Sequence, residues 1–449
     1  MAKKQKKILI ITNGTRGDVE PFIALAQALQ ASGHHVTICA PVSFKSAILT
    51  EDIPYVYMNN GLPKIVQSEG GRQIMESSAS ILAYIKSGVQ ASRLLIPSYR
   101  RQVNEAWQAA KRVNPDLIIF NHVAIYGHHI AREMHIPAIA AISSPILVPT
   151  DDVPHLLFPQ LKLGRYYNRW TYWAFLKIVS LSTRRFIAQW QQRNGLSAIP
   201  HTINYYVPSV THQQPLLVFH HYSPALSPRA SDWPSNILIT GWWFRRQQAS
   251  NWSPPKALVA FIKKGPPPIY IGFGSMTATH KTMKRVISEI GKMLATTPWR
   301  AVIGQGWSRH DWQELLNDPA TKDKIFQLDE VPHGWLFPKM AAIVHHGGAG
   351  TTAAAIRAGK PSIICPFFAD QHYWARRVRD QQVGLGPLPL KKITAKKLTH
   401  ALTMVISDKN MVRNTATLSK KIEKEDGVKV AVAIINNMMV NGFNAKHYQ

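Results

Sequence analysis

The chain has 449 residues, too long for one ordinary core, and the length points to two or three domains. Hydrophobic residues make up 45% and charged residues 17%, a globular composition that excludes a disordered chain. Lys plus Arg number 53 against 25 Asp plus Glu, a formal charge of +28 that suits phosphorylated substrates, an anionic membrane surface or nucleic acid. No finger, helix-turn-helix or ribonucleoprotein motif accompanies the charge, so nucleic acid is not expected as a partner.

Met1-Ala2-Lys3-Lys4-Gln5-Lys6-Lys7 looks like the charged start of a signal peptide, but the apolar run Ile8 to Ile11 is far too short for one. No apolar run approaches the ~20 residues of a membrane span, so a soluble or surface-attached chain is expected. The segment from Lys7 to Thr12 is patterned as a buried strand, and Asn13-Gly14-Thr15-Arg16-Gly17-Asp18 leads from it into a helix. Phe22, Leu25, Ala26 and Leu29 follow helical spacing, Gly33 ends that helix, and His35 to Cys39 is the next strand. Further strands are expected at Asp116 to Phe120 and Ala138 to Ile142. This alternation predicts a parallel, doubly wound α/β domain.

The pattern restarts at Pro268 to Met276, a strand running into a glycine turn, and continues with strands at Ala301 to Ile303, Ala342 to Val344 and Ser362 to Cys365. Cys39 and Cys365 both fall in such apolar runs and read as buried thiols of a reducing compartment. The expected division is a first domain over 1–243, a linker over 244–255 and a second domain over 256–425. A last helix, within 426–449, is expected to pack back on the first domain, its apolar spacing legible from Ile422 to Met439. Two facing α/β domains leave a cleft lined by the C-terminal ends of both sheets, where ligands bind in such folds.

The densest chemistry lies at His345-His346-Gly347-Gly348-Ala349-Gly350-Thr351-Thr352. Here a strand ends and an alanine-rich helix begins. Glycines let the backbone approach a ligand, the free amides of the helix start favour an anion, and a histidine beside them adds a donor. No Gly-Lys-Ser/Thr follows, so this is not a Walker loop.

This segment, with Ala358-Gly359-Lys360-Pro361 and Phe368-Ala369-Asp370-Gln371, resembles the donor signature of the UDP-glycosyltransferase superfamily. Within it the chain is most like sterol 3-beta-glucosyltransferases and bacterial natural-product glycosyltransferases. Gly14 to Pro21, Phe273 to Met276 and Val331 to Phe337 carry the same likeness, which runs nearly the whole chain in order. The resemblance implies two facing Rossmann-like domains (the GT-B fold), with donor in the second and acceptor in the first. It implies that His346, Gly348, Gly350 and Thr351 hold the diphosphate with support from Ser275. Asp370 and Gln371 would bind sugar hydroxyls, and Trp307 with the Val331 backbone would face the nucleobase. Trp307 reads equally well as a core aromatic, and Asp370 as a helix cap.

Transfer to a hydroxyl needs a base. Asp18, at the mouth of the first strand–helix turn, is the first candidate and the likeness supports it, although it also suits a helix N-cap. His122, after the strand ending at Phe120, is the rival. The resemblance further implies inversion, a nucleotide-diphosphate hexose such as UDP-glucose as co-substrate, and no metal or other cofactor. No Asp-x-Asp pair lies beside the phosphate signature. Residues His155 to Trp190 mix Trp, Tyr and Phe with Lys and Arg, as interfacial segments do, and suit a lipophilic hydroxylated acceptor such as a sterol, terpenoid or polyketide. A core helix with a solvated face fits the same residues. The alternatives are a glycosyltransferase acting on a glycolipid or lipid-linked precursor, and a non-catalytic nucleotide-binding membrane partner. The expected location is cytoplasmic, with peripheral attachment to the inner face of the membrane as an option.

Overall fold

The computed structural model describes residues 5–68, 70–72, 81–196, 216–245, 252–274, 278–304, 312–328, 331–368 and 370–441, the side chains at 62, 66, 67 and 81–95 excepted. Strands β1 (Lys7–Ile11), β2 (His35–Pro41), β3 (Tyr55–Met58), β4 (Leu117–Asn121), β5 (Ala138–Ile142), β6 (Leu217–His220) and β7 (Ile237–Ile239) form one sheet. Their order is β3-β2-β1-β4-β5-β6-β7, parallel throughout. The second sheet holds β8 (Ile269–Gly272), β9 (Ala301–Gly304), β10 (Ile325–Leu328), β11 (Ile343–His345), β12 (Ser362–Ile364) and β13 (Gly384–Leu385). It is also parallel, in the order β10-β9-β8-β11-β12-β13. The central strands are near-continuous apolar runs because helices cover both faces of such sheets, so both sides of each strand are dry.

In both sheets the strand order reverses in the middle, between β1 and β4 and between β8 and β11. A crevice opens beyond the strand ends at each reversal, because the connections leave in opposite directions. Beyond the ends of β1 and β4 stand Asp18, in the first turn of the Arg16–Ala31 helix, and His122, and beyond β8 and β11 stand Gly274 and His346 to Gly348.

Several elements depart from the sequence pattern. Short strands β3, β10 and β13, and strands β6 and β7 at one side of the first sheet, go beyond the strands it predicts. Three apolar residues in β7, inside a stretch dense in Pro, Ser and Trp, give no period to read. The apolar spacing read from Ile422 to Met439 spans two helices. One runs Lys409–Glu423, and after a break Gly427–Asn441 begins, with the Asp426 carboxylate accepting from the Lys429 amide at 3.0 Å. This last helix lays Ala431, Ile434, Ile435 and Met438 against Val19 and Phe22 of the Arg16–Ala31 helix. Asn436 bonds His34 there at 2.6 Å. Cys39 and Cys365 are buried, unpaired thiols, and burial pushes both up to about 12.

The Gln371–Asp380 helix of the second half is anchored in the first. Trp374 is fully buried and its ring lies 5.6 Å from Tyr222 and 5.3 Å from Trp242. The Tyr373 hydroxyl bonds Ser227, and the Arg377 guanidinium donates to the Leu226 carbonyl at 2.8 and 3.0 Å. Truncating Trp374 to Ala would empty this junction and cost about 3–5 kcal/mol.

Candidate active site

Asp18 sits in the first turn of its helix, and it is not the N-cap; Thr15 holds that place. Its Oδ2 accepts from the Thr15 amide at 2.7 Å and the Thr15 hydroxyl at 3.0 Å. Gly14 makes this fold-back possible. It holds φ +123°, and a Cβ there would lie 2.3 Å from Asp18 Oδ2. The other oxygen, Oδ1, stays clear of the turn and faces His122 Nε2 at 4.0 Å. Two atoms so spaced can both reach one oxygen placed between them at ordinary hydrogen-bond length. Burial lowers the His122 pKa, while the negative charge of Asp18 opposes that shift. Behind them Asn121 ties the two loops together: its Nδ2 donates to the Asn13 carbonyl at 2.7 Å and its Oδ1 accepts from the Ala124 amide at 2.9 Å.

In the second domain the two adjacent histidines divide the work. His345 is fully buried, and its Nδ1 accepts from the Gly347 amide at 3.1 Å, which shapes the turn. His346 lies in the mouth of the turn between two bare glycines. A Cβ on Gly348 would come within 2.5 Å of its Nε2, and one on Gly274 within 2.7 Å of its Cε1. Gly348 is the N-cap of the Ala349–Arg357 helix, so the amides of Gly350 and Thr351 belong to its first turn and lack intrahelical partners. Burial holds His346 down to about 4, so it is a neutral donor at neutral pH.

Asp370 precedes the Gln371–Asp380 helix and makes no side-chain cap to it; its Oδ2 accepts instead from the Trp374 indole at 3.2 Å. Burial, with a further contribution from Asp18 across the cleft, pushes it up to about 7. Gln371 spends its side-chain oxygen on the amides of Phe367 and Phe368, at 3.0 and 3.1 Å, leaving its NH2 group as the donor available to a ligand. The same electrostatics join the other side of the cleft: His333, stacked on Phe337 at 4.2 Å, is lowered to about 4 by burial, then by Arg16 and His346. Electrostatics thus link Asp18 with His122 and Asp370, and Arg16 and His346 with His333, across the two halves.

The raised Asp370 carries a stability prediction. Its ordinary value is 3.8 and its folded value about 7, so the folded chain binds this proton more tightly than the unfolded chain does. Stability therefore falls as pH rises from about 4 to 7. Asp370→Asn removes that slope. Calorimetry should show the variant melting above the parent near pH 8 and without that advantage below about pH 4. Parallel pH profiles would contradict this.

Ser275 and Trp307 lie outside the described residues. Val331 is described and half-buried, two residues before His333. Sequence reasoning missed Arg16, His333 and Trp374. The last had a legible signal, since Asp370 and Trp374 are four residues apart on one helix face. Among the described residues no group of three or more His, Cys, Asp or Glu could hold a metal ion.

Comparison with known proteins places this geometry. The Glycosyltransferase family 28 N-terminal domain matches residues 8–146, and the Erythromycin biosynthesis protein CIII-like C-terminal domain matches 313–430. The chain is 34% identical to sterol 3-beta-glucosyltransferase UGT80A2 of Arabidopsis thaliana over 95% of its own length and 64% of that protein's. It is 30% identical to UGT80B1 of the same plant, covering 95% and 67%, and 32% identical to the Candida albicans sterol 3-beta-glucosyltransferase, covering 95% and 27%. The chain thus spans from about a quarter to two thirds of these relatives. Among solved structures, the glycosyltransferase of kitacinnamycin superposes with TM-score 0.69 at 17% identity, over 97% of this chain and 99% of the other. VinC, in complex with dTDP, gives 0.66 at 17%, over 96% and 99%. The two facing parallel-sheet domains are the GT-B fold.

Proposed function

The chain belongs to the glycosyltransferase family of the sterol 3-beta-glucosyltransferases, and from that premise we propose that it moves a hexose, glucose first among the candidates, from a nucleotide-diphosphate sugar to a hydroxyl of a lipophilic acceptor such as a sterol, terpenoid or polyketide. The observation that supports this most is the pairing of two unlike ends. One half holds an anion cradle built of His346, two glycine turns and a helix start, the other holds the Asp18–His122 pair, and Asp370 beyond the cradle feels the charge of Asp18.

In this reading residues 1–243 take the acceptor, 256–425 take the donor and 244–255 link them. The diphosphate lies on the amides of Gly350 and Thr351 beside Gly348, with His346 Nε2–H on a phosphate oxygen and Ser275 supporting it. Val331 and Trp307 face the base, which we take as uracil. Asp370 and the Gln371 NH2 take sugar hydroxyls. The acceptor hydroxyl sits between Asp18 Oδ1 and His122 Nε2. Its oxygen attacks the anomeric carbon as the bond to the diphosphate breaks on the opposite face, and its proton passes to Asp18. The configuration inverts. The helix start and the N–H of the neutral His346 stabilise the charge left on the diphosphate, the role a metal ion fills in other enzymes, so the reaction is proposed to be metal-independent. A cytoplasmic location belongs to the same proposal.

The test is product analysis. Incubation with UDP-glucose and a sterol should yield a β-glucoside by the anomeric proton coupling in NMR, undiminished by EDTA. An α-glucoside would overturn the inverting geometry, and loss of product in EDTA the metal-free one.

A further inference from the structure

The Arg165–Arg193 helix is turned the wrong way for water. Over its first turns Asn168 and Thr171 are buried, while Tyr166, Trp170 and Trp173 are 77%, 53% and 61% exposed. Leu181 follows at 61%, and Leu161 and Leu163, just before the helix, stand 50% and 64% exposed. Tyr166, Trp170, Trp173, Lys177, Leu181 and Arg184 succeed one another at steps of three or four residues, which places them on one straight outward stripe. A contiguous apolar ridge of this kind marks an interaction surface.

Its charge selects the partner. The helix has six cations and no acidic residue. Lys177 and Arg184 lie on the stripe and Arg185 beside it, all exposed and without a carboxylate partner among the described residues. The Arg165 guanidinium lies 4.8 Å over the Tyr166 ring. A second copy of this surface would meet like charge. Nucleic acid would gain neither stacking nor hydrogen bonds from Leu161, Leu163, Ile178 and Leu181. Aromatic rings at headgroup depth, aliphatic side chains below them and cations among anionic headgroups satisfy every group.

We propose that this helix lies on an anionic lipid bilayer, with Tyr166, Trp170, Trp173 and Leu181 seated in the interface. The consequence for the cleft rests on the acceptor class proposed above. The inner face of the helix carries Phe186, stacked 6.3 Å from Tyr99, a residue that feels the charge of Asp18. Ahead of the helix, the Gln160 side-chain oxygen accepts from Arg376 of the helix that begins beside Asp370, at 2.9 Å. The ridge and the catalytic cleft are thus two sides of one segment, and a hydroxylated lipid leaves the bilayer next to the place where it reacts.

Flotation of the full chain with vesicles tests the proposal without any nucleotide sugar, so its outcome is independent of the transferase reading. The chain should float with vesicles of phosphatidylcholine containing about 30% phosphatidylglycerol, with a blue shift of Trp emission, and far less with phosphatidylcholine alone. The triple variant W170S/W173S/L181S should partition about tenfold or more less strongly. Lys177→Glu with Arg184→Glu should remove the preference for the anionic vesicles. The far-UV circular dichroism and melting temperature of all variants should match the parent, which shows that they fold. A parent that does not float, or variants that float equally well, would overturn it. So would a parent dimer that W170S/W173S/L181S splits while vesicle binding is absent.

Discussion

Asp18→Asn is expected to lower kcat by about 10²–10⁴-fold while leaving donor binding nearly unchanged. The expectation follows from the division of labour between the two carboxylate oxygens. Oδ2 is occupied by Thr15, and Oδ1 alone faces the cleft and His122. An Asn side chain can keep its oxygen toward the Thr15 amide and so preserve the helix start; the cost in stability is about 1 kcal/mol or less. It presents an NH2 group where the base must stand. A large fall in kcat with an intact melting temperature and unaltered UDP affinity therefore reports lost proton transfer and not a damaged fold. His122→Asn decides between the two bases. If Asp18 is the base, this variant retains more activity than Asp18→Asn. If His122 is the base and Asp18 orients it, the losses come out in the reverse order.

His346→Ala is expected to raise the UDP dissociation constant at least tenfold and to lower kcat by about 10²–10³-fold, because the donor contact strengthens as charge builds on the leaving diphosphate. The imidazole is neutral, held down to about 4 by burial. Its contribution is therefore a directed N–H, and activity should not fall through the ordinary histidine range on its account. His346→Gln, which keeps a donor of similar reach, should recover part of the loss. Titration calorimetry with UDP and steady-state rates separate the two effects. Equal kcat in His346→Ala and the parent would move the diphosphate elsewhere.

Much of this arrangement is legible in the amino-acid sequence, and for identifiable reasons. β1 and β8 are apolar runs that lead into glycine turns and β5 is a bare apolar run, the trace that a parallel sheet buried on both faces leaves. The segment from His345 to Thr352 joins a strand end, a positive-φ glycine and a helix start, a local combination that needs no distant partner to be read. What is not legible depends on contacts across the chain. Nothing near Asp18 in sequence shows that it lies close enough to Asp370 to raise its pKa, 352 positions away. Trp374, Tyr222 and Trp242 look like three unrelated core aromatics until the fold brings them together at the junction of the halves. The two roles open to Asp18, helix start and base, are compatible, since Thr15 holds Oδ2 while Oδ1 is left facing His122. The segment from His155 to Trp190 has a packed inner face and an exposed aromatic and cationic outer one, a division that the sequence alone does not assign to its residues.

The central claim is that a nucleotide-diphosphate sugar in the second domain reacts with a lipid hydroxyl held at Asp18. Release of free UDP from UDP-glucose, followed with and without hydroxylated lipids, tests it most directly. Release should be slow alone, strongly stimulated by an acceptor carrying a free hydroxyl, and not stimulated by the same lipid with that hydroxyl removed. UDP that binds at His346 but is never released from the sugar, whatever acceptor is supplied, would contradict the claim and make the cleft a nucleotide-binding site without turnover.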